Sequence, residues 1–289
     1  MINWYPGHMA KAKRKLKEDL SMVDLVVEVL DARIPFSSRN KDLDELLNQQ
    51  KRVIVLNKND LALEKQTKKW IDYFSKDYPT VALNSKKGIG ISSLEEKINN
   101  LHYKIEKKAE NKGRKNKDIK VMIIGIPNVG KSALINSLSG KKQVKTGDKP
   151  GVTRGKQWIK LNKNIRLLDT PGILWPNLDD DEISYKLAIT AAIDSDRYDK
   201  ETAAYRLIKY ILDMNSSILE DNYKVETLGI HPYDILLEIA KKRGCLMSGG
   251  RIDKERVSKI ILNDFRSGKL GRLTLERVEN IKNKVEREE

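Results

Sequence analysis

Apolar residues along the chain fall into two kinds of pattern. Val23–Leu30 is almost uniformly apolar, as a strand buried on both faces would be, and Arg52–Leu56, Val81–Leu83, Lys120–Gly125, Gln157–Leu161 and Ile165–Leu168 are further short apolar runs. Met9–Leu20, Asp42–Gln49, Lys65–Lys76, Ile91–Ile105 and Lys131–Leu138 lie between or before these runs and read as helices. Strands alternating with helices predict an α/β domain built on a mostly parallel sheet. After about Trp175 the strand pattern stops. Glu182–Ile193, Lys200–Met214, Pro232–Lys242, Asp253–Phe265 and Leu275–Val285 all have helical spacing; Val257, Ile260, Ile261 and Phe265 stand at i, i+3, i+4 and i+8. An α/β domain at 1–176 followed by an all-helical domain at 177–289 is therefore expected, with Pro176, Asn177 and the acidic run Asp179–Asp181 at the join. A third kind of segment, about 104–119, is rich in Lys and poor in apolar residues. It reads as a solvated basic linker, part of which extends the preceding helix, or as a basic arm that touches RNA.

Composition narrows the functional classes. The 289 residues include 56 Lys and Arg against 41 Asp and Glu, a formal net charge of +15. Such a surface attracts polyanions, although a Lys-rich proteome would produce the same excess. No uncharged apolar stretch approaches the ~18 residues that cross a bilayer, and no basic amphipathic anchor stands out, so no membrane partner is expected. Cys245 alone excludes an internal disulfide framework and a multi-cysteine zinc site. No basic patch followed by an apolar core marks the N-terminus as a signal peptide, and a reducing, cytoplasmic location is expected.

The strongest chemical signal is Gly125-Ile-Pro-Asn-Val-Gly-Lys-Ser132, a G-x-x-x-x-G-K-[ST] phosphate-binding loop between an apolar strand and a helix. Gly125 and Gly130 let the backbone around Asn128, Val129, Gly130, Lys131, Ser132 and Ala133 wrap phosphates with its N–H groups. Lys131 places positive charge on the β- and γ-phosphates, Ser132 offers an oxygen to Mg²⁺, and the following helix adds its N-terminal dipole. That loop does not choose between ATP and GTP. Asn57-Lys58-Asn59-Asp60 follows a strand and resembles the N-K-x-D guanine-recognition motif of the GTPase superfamily. A carboxylate at Asp60 accepts from N1–H and the 2-amino group of guanine, a donor pair that adenine lacks. Asn84-Ser85-Lys86 follows the next strand and resembles the accompanying guanine loop, with the Ser85 backbone towards the base. Asp169-Thr-Pro-Gly172 resembles the D-x-x-G of the same superfamily. There Asp169 reaches Mg²⁺, usually through water, and the Gly172 N–H meets the γ-phosphate. Thr153 stands between the two phosphate motifs as the candidate switch threonine, closing the Mg²⁺ and γ-phosphate shell only in the GTP state, or as a plain turn residue.

These motifs occur in an unusual order. The guanine motifs at 57–60 and 84–86 precede the phosphate loop at 125–132, and Thr153 and 169–172 follow it. The chain thus resembles the circularly permuted GTPases, with the basic stretch near 104–119 joining what would otherwise be the two ends. Trp4-Tyr-Pro-Gly-His-Met-Ala10, Asp31-Ala-Arg-Ile-Pro35, the motifs above and Leu262–Arg272 together resemble the YlqF/RbgA family of ribosome-assembly GTPases over nearly the whole chain. The resemblance implies a cytoplasmic GTPase that acts late in assembly of the 50S ribosomal subunit, meeting 23S rRNA and ribosomal proteins. A monomer is expected.

Two departures concern catalysis. Many GTPases carry a water-orienting Gln after D-x-x-G, and Ile173 occupies that place here. A low intrinsic rate and a different water-positioning group follow. His8, in the Trp-Tyr-Pro-Gly-His turn, is the candidate, the alternative being that it only caps or packs the first helix. Asn128 resembles the residue with which related GTPases bind K⁺ near the phosphates, its side-chain carbonyl oxygen ligating a hard cation. In the helical region Lys241, Lys242, Arg243, Arg251, Arg256, Lys259, Arg266, Lys269 and Arg272 form a basic set suited to the phosphates of folded RNA, or an ordinary solvated face. Two functions compete: a switch enzyme whose hydrolysis releases it from the large subunit, and a GTP-gated binding module in which turnover is incidental.

Overall fold

The computed structural model describes residues 14–40, 42–47, 50–110, 118–140, 157–161, 165–169 and 180–285. They form two compact units. One covers Trp4–Pro176 and Glu276–Glu289, the other chiefly Asn177–Leu275. The helical unit therefore stops short of the C-terminus, where it was expected to end, and the last helix belongs with the sheet.

The first unit is built on a six-stranded sheet: β1 (Leu25–Asp31), β2 (Lys51–Asn57), β3 (Thr80–Leu83), β4 (Ile119–Ile124), β5 (Gln157–Lys160) and β6 (Ile165–Asp169). Their order is β3-β2-β1-β4-β6-β5. All neighbours run parallel except β5, which returns antiparallel to β6 at the edge. The uniform apolar character of β1 has the expected cause: every one of its residues is buried.

Helices α1 (14–20), α2 (Asp42–Leu47), α3 (Glu64–Phe74), α4 (Ile91–Glu110) and α5 (Lys131–Ser139) interleave with the strands. Helix α4 runs on to Glu110, so the start of the basic segment is helical. On one sheet face, Val26, Met122 and Ile124 meet Leu16 and Leu20 of α1 and Leu47 of α2. Further along the same face, Leu30, Ile54 and Leu56 meet Trp70 and Phe74 of α3. The two clusters are separated by a buried ion pair, Arg52 with Glu28 at 3.2 Å. Burial pushes the Glu28 carboxyl above the usual carboxylate range, against the opposing pull of Arg52. Helix α11 (Val278–Val285) completes the second cluster with Val278 and Ile281.

The second unit contains α6 (Asp181–Ile189), α7 (Lys200–Met214), α8 (Ser217–Tyr223), α9 (Pro232–Lys242) and α10 (Lys254–Ser267). The buried stripe of α7, Ala203, Ala204, Leu207, Ile208 and Ile211, packs against α6, α8, α9 and α10. Asp180, Asp199, His231 and Asp253 cap the N-termini of α6, α7, α9 and α10 through their side chains. Asp180 lies in the acidic run that marks the join. Helix α8 was not anticipated; its two buried residues, Leu219 and Tyr223, form only one helical repeat.

Candidate functional site

In the parallel register Asp31, Asn57 and Leu83 stand abreast at the C-terminal ends of β1, β2 and β3. The loops that leave these ends therefore meet on one edge, where open α/β sheets bind ligands. The phosphate loop leaves the end of β4 on the same edge.

Asn57 ties three loops together. Its side-chain Nδ2 donates to the Val129 carbonyl in the phosphate loop at 2.6 Å. Its Oδ1 accepts from the Ser85 N–H at 3.0 Å. Ser137 of α5 adds a hydroxyl bond to the Ser85 carbonyl. Asn57, Asn84 and Ser85 are buried, whereas Lys86 is exposed and Asp60 half-buried. The Asn57 side chain thus serves geometry, holding the loops that follow β2, β3 and β4 together.

The phosphate loop needs both of its glycines. Gly130 has φ +98°, and a Cβ there would stand 2.2 Å from Asn57 Nδ2. Gly125 has φ +151°, and its Cβ would meet the Val29 carbonyl oxygen at 2.4 Å. Asn128 is left-handed at φ +59°, a conformation asparagine tolerates. Lys131 starts α5, is buried, and turns its Nζ back to the Ile126 carbonyl at 2.8 Å. Ser132 and Ala133 follow in the first turn of α5, both half-buried. Successive N–H groups at a helix start, with a folded-back ammonium, form an anion cradle.

Lys58 is held by residues not assigned a role from the sequence. Its Nζ meets Asp31 Oδ2 at 2.9 Å, and its backbone is left-handed at φ +60°. Asp31 also accepts from Arg33 Nε at 2.9 Å and Nη2 at 2.7 Å, a two-pronged pair with both side chains buried. Burial would raise the Asp31 carboxyl, but Arg33 and Lys58 outweigh it and hold the group well below the usual carboxylate range. Burial draws the Lys58 ammonium below the ordinary lysine value, against the pull of Asp31. The sequence signals for Asp31 were its place just after an apolar run and its membership of Asp31-Ala-Arg-Ile-Pro35, one of the stretches that carry the family resemblance.

Residues 120–240 match the model of the 50S ribosome-binding GTPase family. Residues 45–179 match that of the RsgA GTPases, a span that keeps the guanine motifs ahead of the phosphate loop. A ribosome biogenesis GTPase A of Bacillus cereus is 40% identical over 99% of this chain and 97% of its own length. One from Bacillus licheniformis is 41% identical over 97% of this chain and all of its own. Two solved structures of Thermotoga maritima YlqF, one GDP-bound and one GNP-bound, superpose with TM-scores of 0.67 and 0.66. They share 29% and 30% identity, and each comparison covers 92% of this chain, with 99% and 98% of the solved chains. The chain belongs to the ribosome biogenesis GTPase A (RbgA/YlqF) family.

Not every residue expected at an RbgA-type site falls within the described structure. His8, Thr153 and Gly172 lie outside the described residues, as does Ile173. Asp169 ends β6, in parallel register beside Ile123 of β4. The oxygens expected from Ser132, Asp169 and Thr153 are hard donors of the kind Mg²⁺ takes.

The basic set of the helical unit divides in two. Arg266 turns inward: Nε donates to the Ile189 carbonyl at 2.9 Å, and Nη2 to the Ala188 carbonyl and the Tyr198 hydroxyl, each at 2.8 Å. It closes the C-terminus of α6, where a cation is favoured. Arg243 lies over the Tyr223 ring, 5.2 Å from its centroid, and 3.9 Å from Asp264. Asp264 also takes Lys269 at 3.3 Å and the Tyr223 hydroxyl at 3.0 Å. Lys259 pairs with Glu255 one helical turn away. Lys241, Lys242, Arg251, Arg256 and Arg272 are exposed. Among the described residues, no helix is long and apolar enough to cross a membrane.

Proposed function

We propose that the chain binds GTP and hydrolyses it as a switch in late assembly of the 50S ribosomal subunit. The observation that carries this reading is the pair of hydrogen bonds of Asn57, one donated to Val129 and one accepted from Ser85, which joins a guanine loop to a phosphate loop. Asp60 accepts from N1–H and the 2-amino group of guanine, and the Ser85 backbone flanks the base. Lys131 leaves Ile126 for the β- and γ-phosphates, while the N–H groups of residues 128–133 surround them. Ser132, Asp169 and Thr153 would hold Mg²⁺, which supplies charge neutralisation at the phosphate oxygens. The side-chain oxygen of Asn128 suits a K⁺ ion beside the same phosphates. Thr153 and Gly172 read the γ-phosphate.

With Ile173 where a water-orienting glutamine often stands, intrinsic turnover is slow and His8 positions the water once the chain is docked. The exposed Lys241, Lys242, Arg251, Arg256 and Arg272 meet phosphates of 23S rRNA, with Arg243, Lys259 and Lys269 beside them. The GTP form docks on the subunit or its precursor in the cytoplasm as a monomer, and hydrolysis releases it. Ile173 also fits a second reading, a GTP-gated binding module with incidental turnover.

GTP turnover in KCl, with and without purified 50S subunits, separates the two. A large rise with 50S and none with 30S is expected, reduced when KCl is replaced by NaCl. Unchanged turnover with 50S would favour the module.

A further inference from the structure

The C-terminal strap meets the loop that follows β1 in a way that no motif announces. Glu276 is the first residue after the helical unit, and it is 3% exposed. Its carboxylate accepts from the Phe36 N–H at 2.7 Å, from the Ser37 N–H at 3.2 Å, and from the Ser37 hydroxyl. Its carbonyl oxygen accepts from the Trp70 indole N–H at 3.2 Å. A carboxylate removed from water is costly unless hydrogen bonds satisfy it, and here backbone donors of a single loop do much of this.

That loop is the continuation of β1, and its bonds close on Asp31. The Asp31 N–H donates to Ser38 Oγ at 3.0 Å. The Ile34 N–H donates to the Asp31 carbonyl at 2.9 Å, and the Ser38 N–H to the Ile34 carbonyl at 2.9 Å. Asp31 in turn holds Lys58 of the N-K-x-D motif. A continuous series of hydrogen bonds and loop backbone thus runs from Glu276 through Ser37, Ser38 and Asp31 to Lys58. It joins residues more than two hundred positions apart in sequence.

We propose that Glu276 is a positioning residue of the guanine-nucleotide site, acting through the 31–38 loop and Asp31 on Lys58. The inference rests on the nucleotide reading above and adds a dependence of that site on the C-terminal strap. Removing the charge of Glu276 slackens the loop, moves Asp31 off Lys58, and weakens ground-state binding of the nucleotide. It leaves the phosphate-reading groups alone, so KM for GTP rises while kcat at saturation holds.

The test is equilibrium binding of fluorescent GDP to the full chain, with GTP turnover measured in parallel. Glu276→Gln preserves shape and removes the charge. It is expected to raise Kd about tenfold, in the usual range of coupling between linked sites, with kcat within about twofold of wild type. In a Lys58→Ala background the same substitution should have almost no effect on Kd, since its route to the nucleotide is gone. Ser37→Ala, which removes only one hydroxyl, should give a smaller shift of the same sign and the same dependence on Lys58. It answers the question even if Glu276→Gln does not fold. Wild-type affinity in both variants, or equal fold-changes with and without Lys58, would show that the strap only stabilises the fold. If the wild-type chain itself bound no GDP, the nucleotide reading would fall and the strap's role with it.

Discussion

The nucleotide edge and the basic helical unit use charge in opposite ways. At the sheet edge, the charged and polar side chains that matter are pinned: Asp31 between Arg33 and Lys58, and Asn57 between Val129 and Ser85. In the helical unit the basic set is mixed. Arg266 and Arg243 are engaged within the unit, while Lys241, Arg251, Arg256 and Arg272 reach solvent. A small ligand read atom by atom needs pre-organised partners, because unpaired or misplaced groups lose the discrimination. A folded polyanion read by shape and phosphate can be met by mobile surface cations. The two regions therefore differ in how a single substitution should be felt.

The largest effect belongs to Gly130. Alanine there must relieve both φ +98° and the 2.2 Å approach to Asn57. The strain and lost bond cost about 2–3 kcal/mol, or about 100-fold in GDP affinity by titration. Asn57→Ala comes next. It leaves the Val129 carbonyl and the Ser85 N–H without their partner, and about 2 kcal/mol should separate the GDP affinities of variant and wild type.

In the helical unit the contrast is between two arginines. Arg266→Ala uncovers the last carbonyls of α6 and should cost about 1–3 kcal/mol, seen as a lower thermal midpoint. Arg251→Ala should leave stability within about 0.5 kcal/mol. It should instead weaken rRNA binding and reduce the salt slope of log K by about 1. Equal stability effects for the two would erase the division between inward and outward cations.

A further effect is in pH. Asp31 has its carboxyl held down in the folded state, so its contribution is complete above the unfolded carboxylate value, about 4. It is lost as pH falls below that towards the depressed folded value. Urea midpoints should therefore decline between about pH 4 and pH 2, and Asp31→Asn should flatten part of that slope.

Much of the candidate nucleotide edge was legible because its motifs are local. Gly125–Ser132, Asn57–Asp60 and Asn84–Lys86 each sit within a few residues at the end of an apolar run, and strand ends are where a parallel sheet places its loops. The permuted order could be read directly from residue numbers. The partners of those motifs were not legible. Asp31 and Lys58 are 27 positions apart, and Glu276 and Ser37 are 239 apart. Periodicity reports which face a residue occupies and nothing about what crosses to meet it. The same limit hid the fate of Arg266, whose composition and spacing match those of exposed cations until α6 is placed beneath it. Assigning Val278 and Ile281 to the helical unit failed for a related reason. Helical spacing over Leu275–Val285 predicts a helix but not which core it meets, and Val278 and Ile281 pack beside Trp70 and Phe74.

The measurement that most directly tests a nucleotide switch on the ribosome is co-sedimentation with purified 50S subunits. The chain would be loaded with a non-hydrolysable GTP analogue or with GDP, in KCl. The account predicts that the analogue-bound form pellets with 50S and not with 30S, and that the GDP-bound form stays largely in the supernatant. Equal recovery with 50S in the two nucleotide states would contradict it.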